Sequence, residues 1–357
     1  MKTLRWYLAK EIFWTTALVM AALLLLFSFF DLVDQIKDLG RGSFQFQQLL
    51  VQVLLQMPMH IYELFPIGAM IGTLFAMAQW VAQSEYTVMR TSGVSVTRLV
   101  WALSSVGVVF AVMTFIFGEY LGPIADQTAQ QLKSRAISGI VAQEFRSGLW
   151  IKDGASFINV RQASSEGVLS DIRIYEFDQE AKLKTTSVAE TANYQGSHNW
   201  ILHEVQQTQF IDGQAKNQIW KTKTWHSSLE PSLLSVLFVP PDKMSMTNLY
   251  AYVGHLHDNR QKSLRYEIAL WSKATYPLAV LVMMLLAVPF ANFQIRQGGV
   301  GAKLFTGIML GLAFYFLRSL SAYIGLLDEW YPFVSALLPM LSFLALGLIL
   351  TWWQERR

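Results

Sequence analysis

Cysteine is absent from all 357 residues, and charged side chains make up only 15% of them. Without cysteine, no exported part of the chain can rely on disulfides, even where an oxidising compartment would allow them. Any such part must hold itself together by strand pairing and burial. The scarcity of charge beside 53% hydrophobic residues excludes a soluble chain of this length. A net charge of +3 is too small to suggest a nucleic-acid partner. Nucleotide and protease signatures are missing too. No G-x-x-x-x-G-K-[ST] occurs, since the glycine-rich run from Gly298 to Lys303 has the wrong spacing and no hydroxyl after the lysine. His-Glu-x-x-His and Gly-x-Ser-x-Gly are also absent, so the chain is not expected to be an enzyme, and no cofactor or metal site is expected in it.

What the sequence does contain is long apolar spans, three on each side of a polar stretch. A helix needs about 20 apolar residues to cross a bilayer. The run Ile12 to Phe30 carries no formal charge, and further spans lie near Val53 to Val81, Leu99 to Phe117, Ile268 to Phe290, Leu304 to Leu327 and Pro332 to Trp353. The first is too long for a signal peptide and is followed by Asp31, Asp34 and Lys37 rather than by a cleavage site. With the N-terminus inside, the inner segments collect Lys2, Arg5, Lys10, Arg90, Arg98, Arg296, Lys303, Arg356 and Arg357. The short outer loops hold only Lys37 and Arg41, with Asp328 and Glu329 between the last two spans. The positive-inside rule then predicts both termini in the cytoplasm and the polar stretch outside. Three regions follow: residues 1–134 with three spans, residues 135–244 exported, and residues 245–357 with a connecting helix and three spans.

Within the exported region the apolar runs shorten and alternate with polar residues. Leu149 to Ile151 lead into Asp153-Gly154, and Phe157, Ile158 and Val160 follow, which predicts a hairpin with a type I′ turn at Asp153-Gly154. Further strands are expected over Ile172 to Phe177, Thr186 to Tyr194, Trp200 to Val205, Gln207 to Ile211 and Gln218 to Trp225, with turns at Asp178, Gly196, Ser197 and Gly213. No amphipathic helix long enough for a crossover lies between them, so an all-β sandwich or jelly roll is expected. Trp150, Phe157, Tyr175, Phe177, Trp200 and Phe210, together with Trp220, either line an apolar lipid groove or form an ordinary core. Met246 to Leu264 reads as a connecting helix with Thr247 as its N-cap.

Several polar residues stand out against the apolar spans. His60 and Glu63 lie three apart on the second span, placed to relay protons or hold a metal, or simply to bond one another near the outer surface. Pro58 and Pro66 are followed by Gly68 and Gly72 at GxxxG spacing, with a second such pair at Gly307 and Gly311, features of helices that bend and pack closely. Asp31 lies about 30 Å beyond Glu11 along a helix, and Arg318 about 22 Å beyond Lys303. An unpaired charge at such depth is costly, so the two either meet between the first and fifth spans or each reach water separately. Between the second and third spans, Ser84 to Ser95 reads SEYTVMRTSGVS. Tyr86, Val88 and Met89 beside Glu85 and Arg90, with Gly93 closing the turn, would present a short amphipathic helix to a cytoplasmic partner.

That segment resembles the coupling helix of the LptF/LptG permease family, the membrane halves of the lipopolysaccharide exporter, and the three-plus-three layout fits that family along the whole chain. The strings VDQIKDLGRGS and GLWIKDGASFINV are similar to one of its two branches more than to the other. The resemblance implies an α-helical membrane protein of six transmembrane helices with an inserted all-β periplasmic jelly roll, located in a Gram-negative inner membrane. It implies an ATP-driven extractor of lipopolysaccharide from the outer leaflet. Its partners would be a sister permease of the LptF type, a homodimer of the cytoplasmic ATPase LptB, and the bridge proteins LptC and LptA. ATP and Mg would be used by the ATPase alone. Ser84, Glu85, Tyr86, Val88, Met89, Arg90 and Gly93 would dock that ATPase. Asp31, Asp34, Lys37, Arg41 and Arg318 would border a lateral gate between the first and fifth helices of paired subunits. Relatives carry a basic residue where this chain has Asp31 and an acidic one where it has Arg318, which favours a gate contact over a direct lipid contact. Two other readings remain on the sequence: an ion-coupled lipid flippase using His60, Glu63, Asp31 and Arg318, and an envelope scaffold or sensor.

Overall fold

The computed structural model describes residues 2–94, 96–137, 148–163, 168–178, 180, 182–196, 198–211, 214–229, 240–293 and 300–356. Its helices are α1 (Lys2–Gln35), α2 (Phe46–Ala82), α3 (Glu85–Thr91), α4 (Val96–Ile116), α5 (Gly122–Ile137), α6 (Met246–Asp258), α7 (Leu264–Phe293), α8 (Val300–Leu327) and α9 (Pro332–Glu355). The third span does not stop at Phe117 as its apolar run does. A π-helical turn, Phe117–Leu121, carries α4 straight into α5. Six of these segments are long and apolar enough to cross a membrane.

The bundle is built on α2 and α7, whose apolar stretches are 78% and 72% buried. Glycine decides how the other helices approach α2. A Cβ on Gly72 would stand 2.6 Å from the Cα of Thr16, and one on Gly68 would meet the Met20 side chain, so this pair seats α1. Gly307 and Gly311 do the same for α8, pressed against Ile71 and Ile67. Residues 67 and 71 lie one position, about 100° of helix, from 68 and 72. The outer helices α1 and α8 therefore sit on different flanks of the same central helix.

The region between the two groups of helices is an antiparallel meander of β1 (Leu149–Asp153), β2 (Ser156–Ala163), β3 (Leu169–Phe177), β4 (Leu183–Gly196), β5 (Asn199–Ile211) and β6 (Gln214–His226), paired in chain order. Period-two alternation puts Ile158, Val160, Ile172, Ile174 and Ala189 on one buried face with Trp200 and Leu202, and Val205 joins that face because the phase of β5 changes at Glu204. The first hairpin falls one residue later than the sequence suggests. Asp153 pairs with Ser156, so Gly154 and Ala155 are the central residues, and of these only Gly154 has positive φ, 59°. Glycine first with positive φ is the II′ pattern, not I′. The runs Trp200 to Val205 and Gln207 to Ile211 are one strand, bent rather than broken at Glu204, whose φ is 51°.

Glu204 is not alone. The β3–β4 register passes from Ser170↔Thr191 to Ile172↔Ala189, placing Asp171 (φ 49°) opposite Glu190, and the β5–β6 register steps over Glu204 and Lys221. These interruptions line up across the sheet without shifting its register, and the buried phase changes across them from Leu169 to Ile172 and from Leu202 to Val205. The end of β1 also meets the residues that follow β6. Asp153, ending β1, accepts from Ser227 Oγ (2.5 Å), Ser228 N (3.0 Å) and Ser228 Oγ (2.5 Å), just beyond β6. Of the expected turns, Asp178 accepts from the amides of Glu180 and Lys182 and Gly196 takes φ 93°; Ser197 and Gly213 lie outside the described residues. The connecting helix is capped by Ser245, which accepts from Asn248 N, rather than by Thr247, and it ends at Asp258.

Candidate functional site

Near the C-terminal end of α1, Asp31 meets α2 and not α8. Its Oδ2 lies 2.6 Å from His60 Nε2, and one turn further Gln35 Nε2 donates to Gln56 Oε1 at 2.9 Å. Glu63 stands 3.8 Å from His60 Nδ1, beyond hydrogen-bond reach. Arg318 lies over the Tyr276 ring, 4.3 Å from its centroid, and Tyr276 donates its hydroxyl proton to the Glu63 carbonyl at 2.6 Å. One chain therefore does not bring Asp31 and Arg318 together, because α1 and α8 occupy different flanks of α2.

The other acids and bases here are locally matched. Asp34 pairs with Lys37 at 2.6 Å, and the buried Asp38 pairs with Arg41 at 2.8 Å and with Lys133 of α5 at 2.7 Å. The turn that follows is fixed by Gly42. Its φ is 58°, and a Cβ there would fall 2.4 Å from the Ala136 carbonyl oxygen. Lys37 and Arg41 thus face the surface with part of their charge already answered.

On the opposite side of the bundle, α3 is a seven-residue helix entered through Ser84 at φ 60° and closed by Gly93 at φ 85°. The Val94 amide donates to the Met89 carbonyl across that glycine, the bond that ends a helix in a left-handed cap. Tyr86 and Met89 turn inward and pack on the membrane core, while Val88 is 61% exposed. The anchors expected to meet a partner are thus divided, with Val88 and Thr87 outward. Tyr7 of α1 donates its hydroxyl to Glu85, 2.9 and 3.2 Å from the two carboxylate oxygens. Ser84 is exposed; the Arg90 side chain and Ser95 lie outside what is described.

The aromatic residues of the β domain do not share one groove. Trp200 is fully buried, donates Nε1–H to the Leu229 carbonyl at 2.8 Å and packs beside Trp225. Trp150 stacks on Tyr175 and Phe157 meets Phe177 edge-on, each pair 5.7 Å apart. Strand alternation places these four on the face opposite the buried one, and Trp150, Phe157, Phe210 and Trp220 are substantially exposed.

Sequence reasoning missed three polar residues that the structure makes prominent. Glu119, in the π-helical turn, is buried and accepts from Met246 N (2.7 Å), Thr247 N (3.2 Å) and Thr247 Oγ1 (2.7 Å). Lys273 is buried in α7 and donates to the Met244 carbonyl, with Tyr62 beneath its ammonium. Tyr7 is the third. The available signal was a lone acid and a lone lysine beside apolar runs, which names a residue but not its partner. A Ser263, His257 and Glu267 group also forms, yet both partners meet the same imidazole nitrogen, each at 2.8 Å. Among the described residues no acid meets the second nitrogen, so the group at the start of α7 is not arranged as a hydrolytic triad. Among the described residues no three acids, histidines or cysteines cluster as metal ligands.

Six apolar helices in two groups of three, an inserted antiparallel β sheet and polar side chains spent on helix contacts describe a multi-pass membrane protein of the permease type. The family model for the lipopolysaccharide export system permease LptF/LptG matches residues 6–353, and the chain belongs to that family. It is 30% identical over 344 residues, 96% of each chain, to the lipopolysaccharide export system permease protein LptG of Escherichia coli strain K12. It is 29% identical over 352 residues, 98% of this chain and 97% of the relative, to the LptG protein of Haemophilus influenzae. Both relatives are of the branch that VDQIKDLGRGS and GLWIKDGASFINV resemble.

Proposed function

We propose that this chain is the LptG-type half of an ATP-driven extractor of lipopolysaccharide, paired with an LptF-type sister in a Gram-negative inner membrane. Both termini are cytoplasmic and the β domain is periplasmic. The chain holds no cofactor; ATP and Mg belong to a homodimeric LptB-type ATPase that docks on α3 around Val88 and Glu85. Lipopolysaccharide enters sideways from the outer leaflet between α1 of one permease and α8 of the other, and the β domain passes it towards LptC- and LptA-type bridge proteins. The observation that carries this reading is family membership over nearly the whole chain. It is supported by the two gate helices being the barest, with α1 only 11% and α8 only 22% buried in their apolar stretches. Mild purification of the tagged protein from its own envelope, followed by mass spectrometry, is expected to return an ATPase, a sister permease and lipopolysaccharide together. Recovery of the chain without an ATPase and with unrelated lipid would sink the proposal.

A second reading is favoured by one observation, the 2.6 Å contact of Asp31 with His60, an ionisable pair between two spans of the kind that carries protons. Transport by the reconstituted complex that needs a proton gradient and no ATP would favour a flippase instead.

A further inference from the structure

We propose that α6 is a strut that fixes the β domain over the membrane bundle, with Glu119 and Asn259 as positioning residues at its two ends. The inference rests on the transport reading for its consequence, though not for its geometry. The N-terminus of α6 is gripped by the bundle. Glu119, 9% exposed at the outer end of the third span, accepts both backbone amides and the hydroxyl at Met246 and Thr247. A helix N-terminus has unpaired N–H groups and a positive dipole end, so a carboxylate from another element is held there strongly. The approach to the helix is fixed as well. Asp126 of α5, 2% exposed, accepts from Lys243 at 3.1 Å, and the buried Lys273 of α7 donates to the Met244 carbonyl. Three elements of the bundle therefore hold the five residues Lys243 to Thr247.

The other end of α6 is gripped by the β domain. Asn259 closes the helix by donating Nδ2–H to the His255 carbonyl at 2.9 Å, and its Oδ1 accepts from Gly154 N at 2.7 Å. Gly154 is the β1–β2 turn. Its neighbour Asp153 is the carboxylate that joins the two edges of the sheet through Ser227 and Ser228. Between the ends, Leu249, Tyr252 and Leu256 pack on Tyr266, Ala269 and Leu270. Thirteen helical residues span about 20 Å. A shift at the outer end of the third span is thereby delivered to the β1–β2 turn, beside the Asp153 contact with Ser227 and Ser228. The π-helical turn that presents Glu119 fits this role, because such turns recur where a helix must place one side chain for function.

The test uses the assembled transporter in liposomes, with spin labels on cysteines introduced at Val112 and Asn217, both exposed and both in a chain free of native cysteine. Glu119→Ala and Asn259→Ala are expected to broaden the label-to-label distance distribution. Each is expected to cut lipopolysaccharide transfer to a soluble periplasmic acceptor about fivefold or more, the scale of a modest coupling, with ATP turnover retained. Asn259→Asp and Glu119→Gln, which keep an acceptor, are expected to recover part of the transfer. The double alanine variant should be little worse than the poorer single one, since both cut the same strut. Unchanged distances, transfer and turnover falling in parallel, or independent losses that multiply would each overturn the proposal. If the unaltered complex moves no lipopolysaccharide, the transport reading fails, while the distance measurement still decides the strut.

Discussion

Gly72 shows how much of the bundle depends on the absence of a side chain. A Cβ there would meet the Thr16 backbone at 2.6 and 2.7 Å, atoms that cannot turn aside. Gly72→Leu is expected to push α1 off α2 and cost about 1–3 kcal/mol, seen as a lower melting midpoint of the purified protein. Gly254 is the control. A Cβ there meets nothing within 4 Å, so Gly254→Ala should be neutral or stabilise α6 by about 0.5–1 kcal/mol. A melting point unmoved by the leucine would contradict the packing described for α1. The same scale settles the partner of Asp31. A double-mutant cycle with His60, 2.6 Å away, should return a coupling of about 0.5–3 kcal/mol, and one with Arg318 in the isolated chain should return about zero. A cycle with the reverse pattern would restore the direct pair within one chain.

At the scale of single elements, α3 is the one whose two faces have different work. Tyr86 and Met89 hold it to the membrane core, and Tyr7 holds Glu85. Glu85→Ala is expected to lower lipid-stimulated ATPase activity of the assembled complex or to weaken ATPase retention. Tyr7→Phe removes only the hydroxyl that orients Glu85 and should give a smaller effect in the same direction. Unchanged co-purification and turnover in both would remove α3 from the docking surface. How much of this was legible beforehand follows from what each signal measures. Hydropathy alone located all six spans, because an apolar run of bilayer length has few other uses, and alternation located the strands. Ends and partners were less legible. The π-helical turn after Phe117 continues a helix whose apolar run has stopped, and the break expected inside β5 is a backbone kink at Glu204 that leaves the pairing register intact. Glu119, Lys273 and Tyr7 have partners 78 or more residues away or on another element, and spacing along one segment holds no trace of those. Trp200 and Trp150 looked alike in the sequence, but opposite strand phases put one in the core and the other outside.

For the molecule as a whole, the consequential asymmetry is that α2 and α7 are enclosed while α1 and α8 are bare on separate flanks. Apolar surface in a bilayer rests as well against lipid tails as against another helix, so bareness by itself does not assign a neighbour. Position does narrow it. Leu25 of α1 and Phe316 of α8 are 71% and 67% exposed, and the helices that carry them pack on flanks of α2 about 100° apart. A disulfide needs Cα atoms within about 7 Å, a distance that two flanks of a helix do not offer. Leu25→Cys and Phe316→Cys placed together in this chain should therefore give no intramolecular cross-link on oxidation, and the missing native cysteines leave no competing thiol. With single cysteines instead, one on this chain and one on the corresponding outer helix of the sister permease, the gate model expects a cross-link between chains, weakened by saturating lipopolysaccharide. Non-reducing electrophoresis reads both outcomes. An internal cross-link would mean that α1 and α8 meet within one subunit, and the lateral entry between subunits would have to be abandoned.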